Sequence, residues 1–324
     1  MRSPAFHCYY RLPWRLLIVG CGDVGLRLIR RLRASHPAAR IAIVATARRA
    51  EQQDAIRMAG AVPLRVDLDQ RHEAARIAAL GRRAVISAPP SEGGGTRDLR
   101  TRSLVAAWTS SRPKRTLPRF GAPPAGSQGT PGVAPGAFVY LSTTGVFGDH
   151  GGAWIDECAP ALPGQDRSRR RLDAEQQWRT RLGAARLRIP GIYAQDRLPL
   201  ERLAQGLPCV EASDDSYTNH IHAEDLAQIA WLALFRAKRG RQYVVVDDEP
   251  LPMGEWFDAI AKTFGLASPP RLARAQVRAQ VSPMMWSFMR ESRRLRNLRM
   301  RKELRPQLLA ARARDYLLSL PTRC

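Results

Sequence analysis

Lysine is nearly missing from this chain: only Lys114, Lys238, Lys262 and Lys302 stand among 52 basic residues. Arginine therefore carries the formal net charge of +23. It is spread along the whole sequence beside abundant Ala, Gly and Pro, the pattern of a compositional bias rather than of one phosphate-binding patch. Nucleic acid is accordingly not an expected partner. Cysteine is also sparse. Cys8, Cys21, Cys158, Cys209 and Cys324 are odd in number, scattered and free of any CxxC pair, which argues against a disulfide framework and a zinc site and fits a reducing compartment. No apolar run approaches the ~18 residues of a membrane-spanning helix, and the first residues, MRSPAFHCYYRLPW, have no long apolar signal-peptide core. The expectation is a cytoplasmic protein with no metal and no membrane partner, its oligomeric state left open. With 324 residues, 44% of them hydrophobic, the chain can build one large α/β domain or such a domain with a smaller companion.

What is present is concentrated first in RLLIVGCGDVGLRLIRRLRA, residues 15–34. A GxGxxG pattern alone marks any sharp backbone reversal, so a nucleotide site and a tight turn both remain open until the flanks are considered. Upstream, Leu16, Leu17, Ile18 and Val19 form a continuous apolar run, as in a parallel strand buried on both faces. Downstream, Val24, Leu28, Ile29 and Leu32 recur at helical spacing. At such a strand-to-helix junction Gly20 would make the turn, Gly22 would let the backbone approach a pyrophosphate, and Gly25 would let the helix pack on the strand. The helix start, with Asp23 and Val24, would offer its N–H groups to the phosphates.

The rest of the chain repeats the alternation. Strands are expected from Ile41 to Ala45, over AVPLRVDLDQ ending near Asp67, and in RRAVISAPP, with EQQDAIRMAG helical between the first two. This is the signature of a doubly wound parallel sheet. A helix from about Thr96 to Trp108 leads into a Pro/Gly/Ser-rich stretch over 110–136, a surface insertion or a mobile flap. The strand Phe138 to Leu141 ends in Ser142, Thr143 and Thr144, whose hydroxyls would meet the ligand crevice at the carboxyl edge of the sheet; a plain Ser/Thr-rich turn fits the same letters. Further strands are expected in ARLRIPGIY and QYVVVDD, and NHIHAEDLAQIAWLALF reads as an extended piece running into an amphipathic helix. The region from Pro250 on looks helical, and RESRRLRNLRMRKELR reads as a surface helix with a narrow apolar stripe at Leu295, Leu298 and Met300.

In the order VGCGDVG, VDLD, YLSTTGVFGD, IDECAP, LRIPGIY, NHIHAEDLA and SRRLRNLRMRKEL, these segments resemble the extended short-chain dehydrogenase/reductase superfamily, the NAD(P)-dependent epimerase/dehydratase group, and its atypical members in particular. The resemblance implies an α/β fold with a Rossmann-like doubly wound parallel sheet and a small C-terminal substrate subdomain. The core would take residues 14–195, completed by 215–248, and the subdomain 196–214 and 249–324. It implies a cofactor site of Gly20, Gly22, Asp23, Val24, Gly25, Asp67, Ala88, Pro190 and Ile192, with Thr143 turned to the carbonyl or hydroxyl of a small-molecule substrate that the sequence does not identify. The family also pairs a proton-donating Tyr with a Lys four residues on. Here that element falls on Arg167 and Arg171, followed by Glu175. Arg171 could keep the positive charge near the ribose, but Arg167 cannot replace tyrosine as a proton shuttle, because guanidinium stays protonated. Catalysis by a modified site and dinucleotide binding without this chemistry, as in a sensor or scaffold, therefore both stay open. Tyr193 and Tyr217 lie in segments that could face the crevice, though packing suits both.

An acid after the second strand normally binds the ribose 2′-hydroxyl of NAD, whereas arginine accommodates the 2′-phosphate of NADP. ATARRAE offers Arg48 and Arg49 there, which favours NADP, with NAD still possible. Asp67 would contact the adenine or cap the following helix. His220 and His222, two apart on an extended segment with Glu224 and Asp225 behind, could suggest a metal. The resemblance instead gives this His and Asp a structural task, knitting the last core helix to the sheet.

Overall fold

The computed structural model describes residues 14–35, 41–81, 83–92, 95–110 and 137–320. The expected insertion over 110–136 lies outside the described residues except for Ser110. The first strand, β1 (Trp14–Val19), explains its own lack of polar alternation. Leu16 and Ile18 pack into one layer with Leu28, Ile29 and Leu32 of helix α1 (Asp23–Ser35). Leu17 and Val19 point the other way, toward Ile77 of α3 (Arg71–Leu80) and Leu104 of α4 (Leu99–Ser110). Both faces of the strand are covered from Leu16 to Val19, so these four positions are all apolar, while Arg15 at its start is exposed.

Strands β2 (Ile41–Ala47), β3 (Val62–Arg65), β4 (Ala84–Ile86) and β5 (Phe138–Thr143) join β1 and two later strands, Ala185–Ile189 and Gln242–Val244, in one seven-stranded sheet. Its spatial order is Gln242–Val244, Ala185–Ile189, β5, β4, β1, β2, β3, and every pairing is parallel. Helix α2 (Ala50–Met58) lies between β2 and β3. The strand order reverses between β1 and β4, and the loops leaving β1, β4 and β5 border the crevice where such folds bind ligands. The architecture is the expected Rossmann-like doubly wound α/β sheet. A separate apolar cluster joins Tyr193, Leu203 and Leu251 to Trp256, Phe257 and Ile260 of the helix Met253–Phe264 and to Leu317.

Several boundaries differ from the sequence expectations. β2 runs on to Ala47, β3 stops at Arg65 before Asp67, and α4 starts at Leu99 and continues to Ser110. The arginine-rich segment near the C-terminus is not one surface helix. Arg294–Leu295 pairs with Trp154–Ile155, and only Leu298–Glu303 is helical. Leu295 fills a gap against Phe147, Val244 and Val246, and Met300 enters the main core, whereas Leu298 is 68% exposed. Apolar demand from beneath the sheet edge, not helical periodicity, decides this stretch.

Helix α5 (Asp166–Gln177) lies on the face of α3 and α4 and carries Glu175 into the interior. Glu175 is fully buried and accepts hydrogen bonds from Arg188 Nε at 3.1 Å and Nη2 at 2.9 Å. Arg188 also lies 4.5 Å over the Phe147 ring. This ion pair locks α5 to the strand Ala185–Ile189 and so fixes the helix that carries Arg167 and Arg171.

Candidate active site

The three glycines after β1 have three different surroundings. Gly20 has φ +81, and a Cβ there would lie 2.6 Å from the Ala88 Cα. Only glycine permits both the turn and the close approach to the chain leaving β4. The turn is held by Gly20 N donating to Thr46 Oγ1 at 2.8 Å and by Ser87 Oγ donating to the Gly20 carbonyl at 2.5 Å. At Gly25 a Cβ would meet Cys21 Sγ at 2.8 Å and Ile18 Cγ2 at 3.2 Å, the crowding of a helix packed directly on a strand. A Cβ on Gly22 would meet nothing within 4 Å. It borders a cavity of about 300 Å³ that Asp23 and Val24 also line.

That cavity adjoins a larger one of about 710 Å³. Thr143, Arg171, Pro190, Ile192 and Arg197 line both, so they form the junction between the two lobes. Thr143 ends β5, and its Oγ1 accepts from Gly145 N at 3.1 Å, which leaves the hydroxyl proton free to donate. Arg171 Nη1 donates to the Leu141 carbonyl at 3.0 Å and to the Tyr140 hydroxyl at 3.2 Å. Arg167 reaches only the larger lobe. It donates to Ser287 Oγ at 2.8 Å, and its guanidinium lies 4.2 Å over the Phe288 ring. The position aligned with the tyrosine of the family that the sequence resembles thus carries an arginine tied to the C-terminal segment.

Some expected site residues stand elsewhere. Arg48 and Arg49 are exposed just beyond the end of β2 and line neither lobe. Asp67 does not cap α3, whose N-cap residue is Gln70; its carboxylate accepts from Asp69 N at 3.1 Å in a local turn. Ala88 is buried as the wall behind Gly20 rather than open to the cavity. Asp23 lines the small lobe, but its carboxylate is engaged by Arg27 Nε at 3.0 Å and by Arg197 Nη1 at 2.9 Å. The sequence had singled out neither Thr46, Ser87 nor Arg197. Thr46 and Ser87 act through the third dimension, and Arg197 is one arginine among many.

The tyrosines divide. Tyr193 is buried with its ring edge-on to His222 at 5.3 Å and to Trp256 at 5.4 Å, which makes it a packing residue. Tyr217 lines the large lobe and stacks under Arg294 at 4.6 Å. Tyr140 is buried, and burial pushes its hydroxyl up to about 12. His220 and His222 extend parallel to Gly191–Tyr193 and are both buried. His222 Nδ1 accepts from Glu224 N and so caps the helix Ala223–Arg236. Asp225 accepts from Leu309 N and Ala310 N, which ties this helix to the C-terminal segment rather than to the sheet. Among the described residues no group of three or more His, Cys, Asp or Glu is placed to hold a metal, and no helix is long and apolar enough to cross a membrane.

Beside this histidine segment, burial pushes the Asp247 carboxyl from 3.8 up to about 8, with Glu249, Asp248 and Asp225 adding repulsion. A folded pKa above the unfolded one favours the native state at low pH, and that contribution is lost as pH rises through about 8. Asp247→Asn therefore flattens the fall in stability between about pH 3.8 and about pH 8, the range in which the unfolded carboxyl is ionised and the folded one is not. Urea denaturation across that range checks it, and a wild-type decline that persists in the variant places the titration elsewhere.

No family model and no curated protein sequence matches the chain. Solved structures do. A functionally unknown conserved protein from Silicibacter pomeroyi is 30% identical, with a TM-score of 0.74 over 95% of this chain and 98% of its own. A proposed NAD-dependent epimerase/dehydratase from Methylobacillus flagellatus is 24% identical, with a TM-score of 0.63 over 94% and 98%. UDP-glucuronic acid 4-epimerase from Bacillus cereus, in complex with NAD, is 12% identical, with a TM-score of 0.66 over 94% and 98%. The parallel seven-stranded order, the glycine turn at its switch point and superposition over nearly the whole of these proteins lead to one conclusion: the chain is a relative of the Silicibacter pomeroyi protein and shares the Rossmann-like α/β fold of the epimerase and dehydratase structures.

Proposed function

We propose that this chain binds a nicotinamide dinucleotide and acts as an oxidoreductase or epimerase/dehydratase-like enzyme on a small molecule. The observation that carries the reading is Gly22: a Cβ there would have no neighbour within 4 Å and would project into a cavity, so the backbone is bare where a pyrophosphate would lie. Gly20, Gly22, Asp23, Val24 and Gly25 would hold the phosphates, with Arg197 as the nearby cation. Pro190 and Ile192 would flank the nicotinamide half, and Arg171 would take the ribose hydroxyls. The bound cofactor would supply hydride transfer. Thr143 would orient the substrate oxygen with its free hydroxyl proton.

Thr143 and Arg171 are the proposed catalytic pair. A non-catalytic dinucleotide sensor is the second reading, and Arg167 is the observation that favours it, since a guanidinium held by Ser287 and Phe288 cannot cycle a proton. The two diverge on Thr143→Ala. An enzyme loses NADPH turnover and keeps NADPH affinity, whereas a sensor has no turnover to lose.

NADP is the proposed cofactor on the strength of Arg48 and Arg49, which are exposed where a 2′-phosphate would leave the adenosine ribose. Replacing both with Ala weakens NADPH by about 10- to 100-fold, because charge-assisted bonds to the phosphate are lost, and leaves NADH affinity within about threefold. Paired calorimetric titrations check this; equal losses for both cofactors refute the preference.

A further inference from the structure

Arg167 and Arg171 stand one helical turn apart on α5, and both line the large lobe. Of the other arginines around this lobe, Arg293 bonds Glu291 at 2.9 Å and Arg197 bonds Asp23 at 2.9 Å, while Arg170, between Arg167 and Arg171 on α5, donates to the Gly95 carbonyl at 2.8 Å. Arg167 and Arg171 have no carboxylate partner among the described residues. Their partners are the Ser287 hydroxyl for one, and the Leu141 carbonyl and Tyr140 hydroxyl for the other. Glu291 lies near enough to attract Arg167, but one of its oxygens is already held by Arg293. Burial pulls the Arg167 guanidinium below its ordinary pKa, the mark of a charge taken partly out of water without full compensation.

Two like charges at i and i+4 repel each other, and a desolvated guanidinium without a counterion adds to the cost. An oxyanion between them offsets both. The Phe288 ring, 4.2 Å from the guanidinium carbon, and the Ser287 hydrogen bond hold the Arg167 fork in place to receive it. Arginine is the side chain whose planar donors match carboxylate and phosphate.

We infer that Arg167 and Arg171 form an oxyanion subsite in the substrate lobe, so that the substrate class is a small molecule carrying a carboxylate or phosphate. The assignment of this anion to a substrate rests on the proposed function of the crevice. On this view the position that carries a proton-donating tyrosine in the wider family has become a charge receiver in this chain.

The test uses the full-length protein and two probes, malonate and inorganic phosphate, each titrated by calorimetry with and without NADPH. The expected result is saturable 1:1 binding of at least one probe and a raised thermal midpoint. Arg167→Gln weakens that binding by about tenfold or more and leaves NADPH affinity unchanged. Arg167→Lys falls between, because an ammonium keeps the charge and loses the fork. Tighter malonate binding identifies a carboxylate, and tighter phosphate binding a phosphate. If Arg167→Gln does not fold, Ser287→Ala carries the test, since it frees the fork and weakens the same probe. Neither probe binding wild type, or Arg167→Gln binding as wild type does, overturns the subsite. Arg167-dependent anion binding in a protein that ignores NADPH supports the subsite and overturns the dinucleotide reading instead.

Discussion

Gly22→Val abolishes NADPH binding and leaves the thermal midpoint of the unliganded protein close to that of wild type. The two halves of this expectation come from the same geometry. A Cβ on Gly22 has no neighbour within 4 Å, and the backbone there does not need positive φ, so the native chain tolerates the new side chain. The valine would instead occupy the cavity where the pyrophosphate would meet the helix N-terminus. A loss of at least about 100-fold, or roughly 2.7 kcal/mol, is expected. Gly20→Val gives the opposite pattern: its Cβ would strike the Ala88 backbone at 2.6 Å, so the fold suffers first. Calorimetry beside thermal denaturation separates the two variants. Unchanged NADPH affinity in Gly22→Val would mean that the phosphates bind elsewhere.

Glu175→Ala has the largest expected effect on stability. Glu175 is fully buried, its partner Arg188 is 3% exposed, and Arg186 Nη1 lies a further 3.7 Å from the same carboxylate. Removing the acid leaves two buried guanidinium groups uncompensated, a loss of about 3–5 kcal/mol. Because the pair anchors α5, the damage reaches Arg167 and Arg171 as well. Replacing both partners, Glu175→Leu with Arg188→Met, recovers much of the loss, since no charge is then stranded. Urea denaturation of the single and double variants measures the coupling. A single variant within about 1 kcal/mol of wild type would show that the pair is solvated in solution.

The central sheet was legible because burial on both faces writes itself as uninterrupted apolar runs. Leu16 to Val19 needs no tertiary information to be read as a strand, and the three glycines behind it announce the turn. The turn at Gly20 and the close helix packing at Gly25 were legible too, since a strand, a turn and a helix in that order leave little choice of geometry. The C-terminal region was not. Leu295 and Met300 sit among arginines at spacings a helix would also give, and only the gap beside Phe147 and Val246 explains why Leu295 pairs as a short strand. Thr46 and Ser87, which support the glycine turn, come from β2 and from the end of β4, and act on Gly20 across the sheet, which no local pattern reveals. The missing Tyr and Lys were visible as letters. What the letters could not convey was that Arg167 is held by Ser287 and Phe288, 120 residues or more along the chain.

The dinucleotide proposed for the glycine lobe is tested most directly by titrating the wild-type protein with NADPH, by calorimetry and by the fluorescence of the reduced nicotinamide. The predicted result is saturable 1:1 binding that is lost in Gly22→Val; no binding of NADPH or NADH to folded wild-type protein would contradict it.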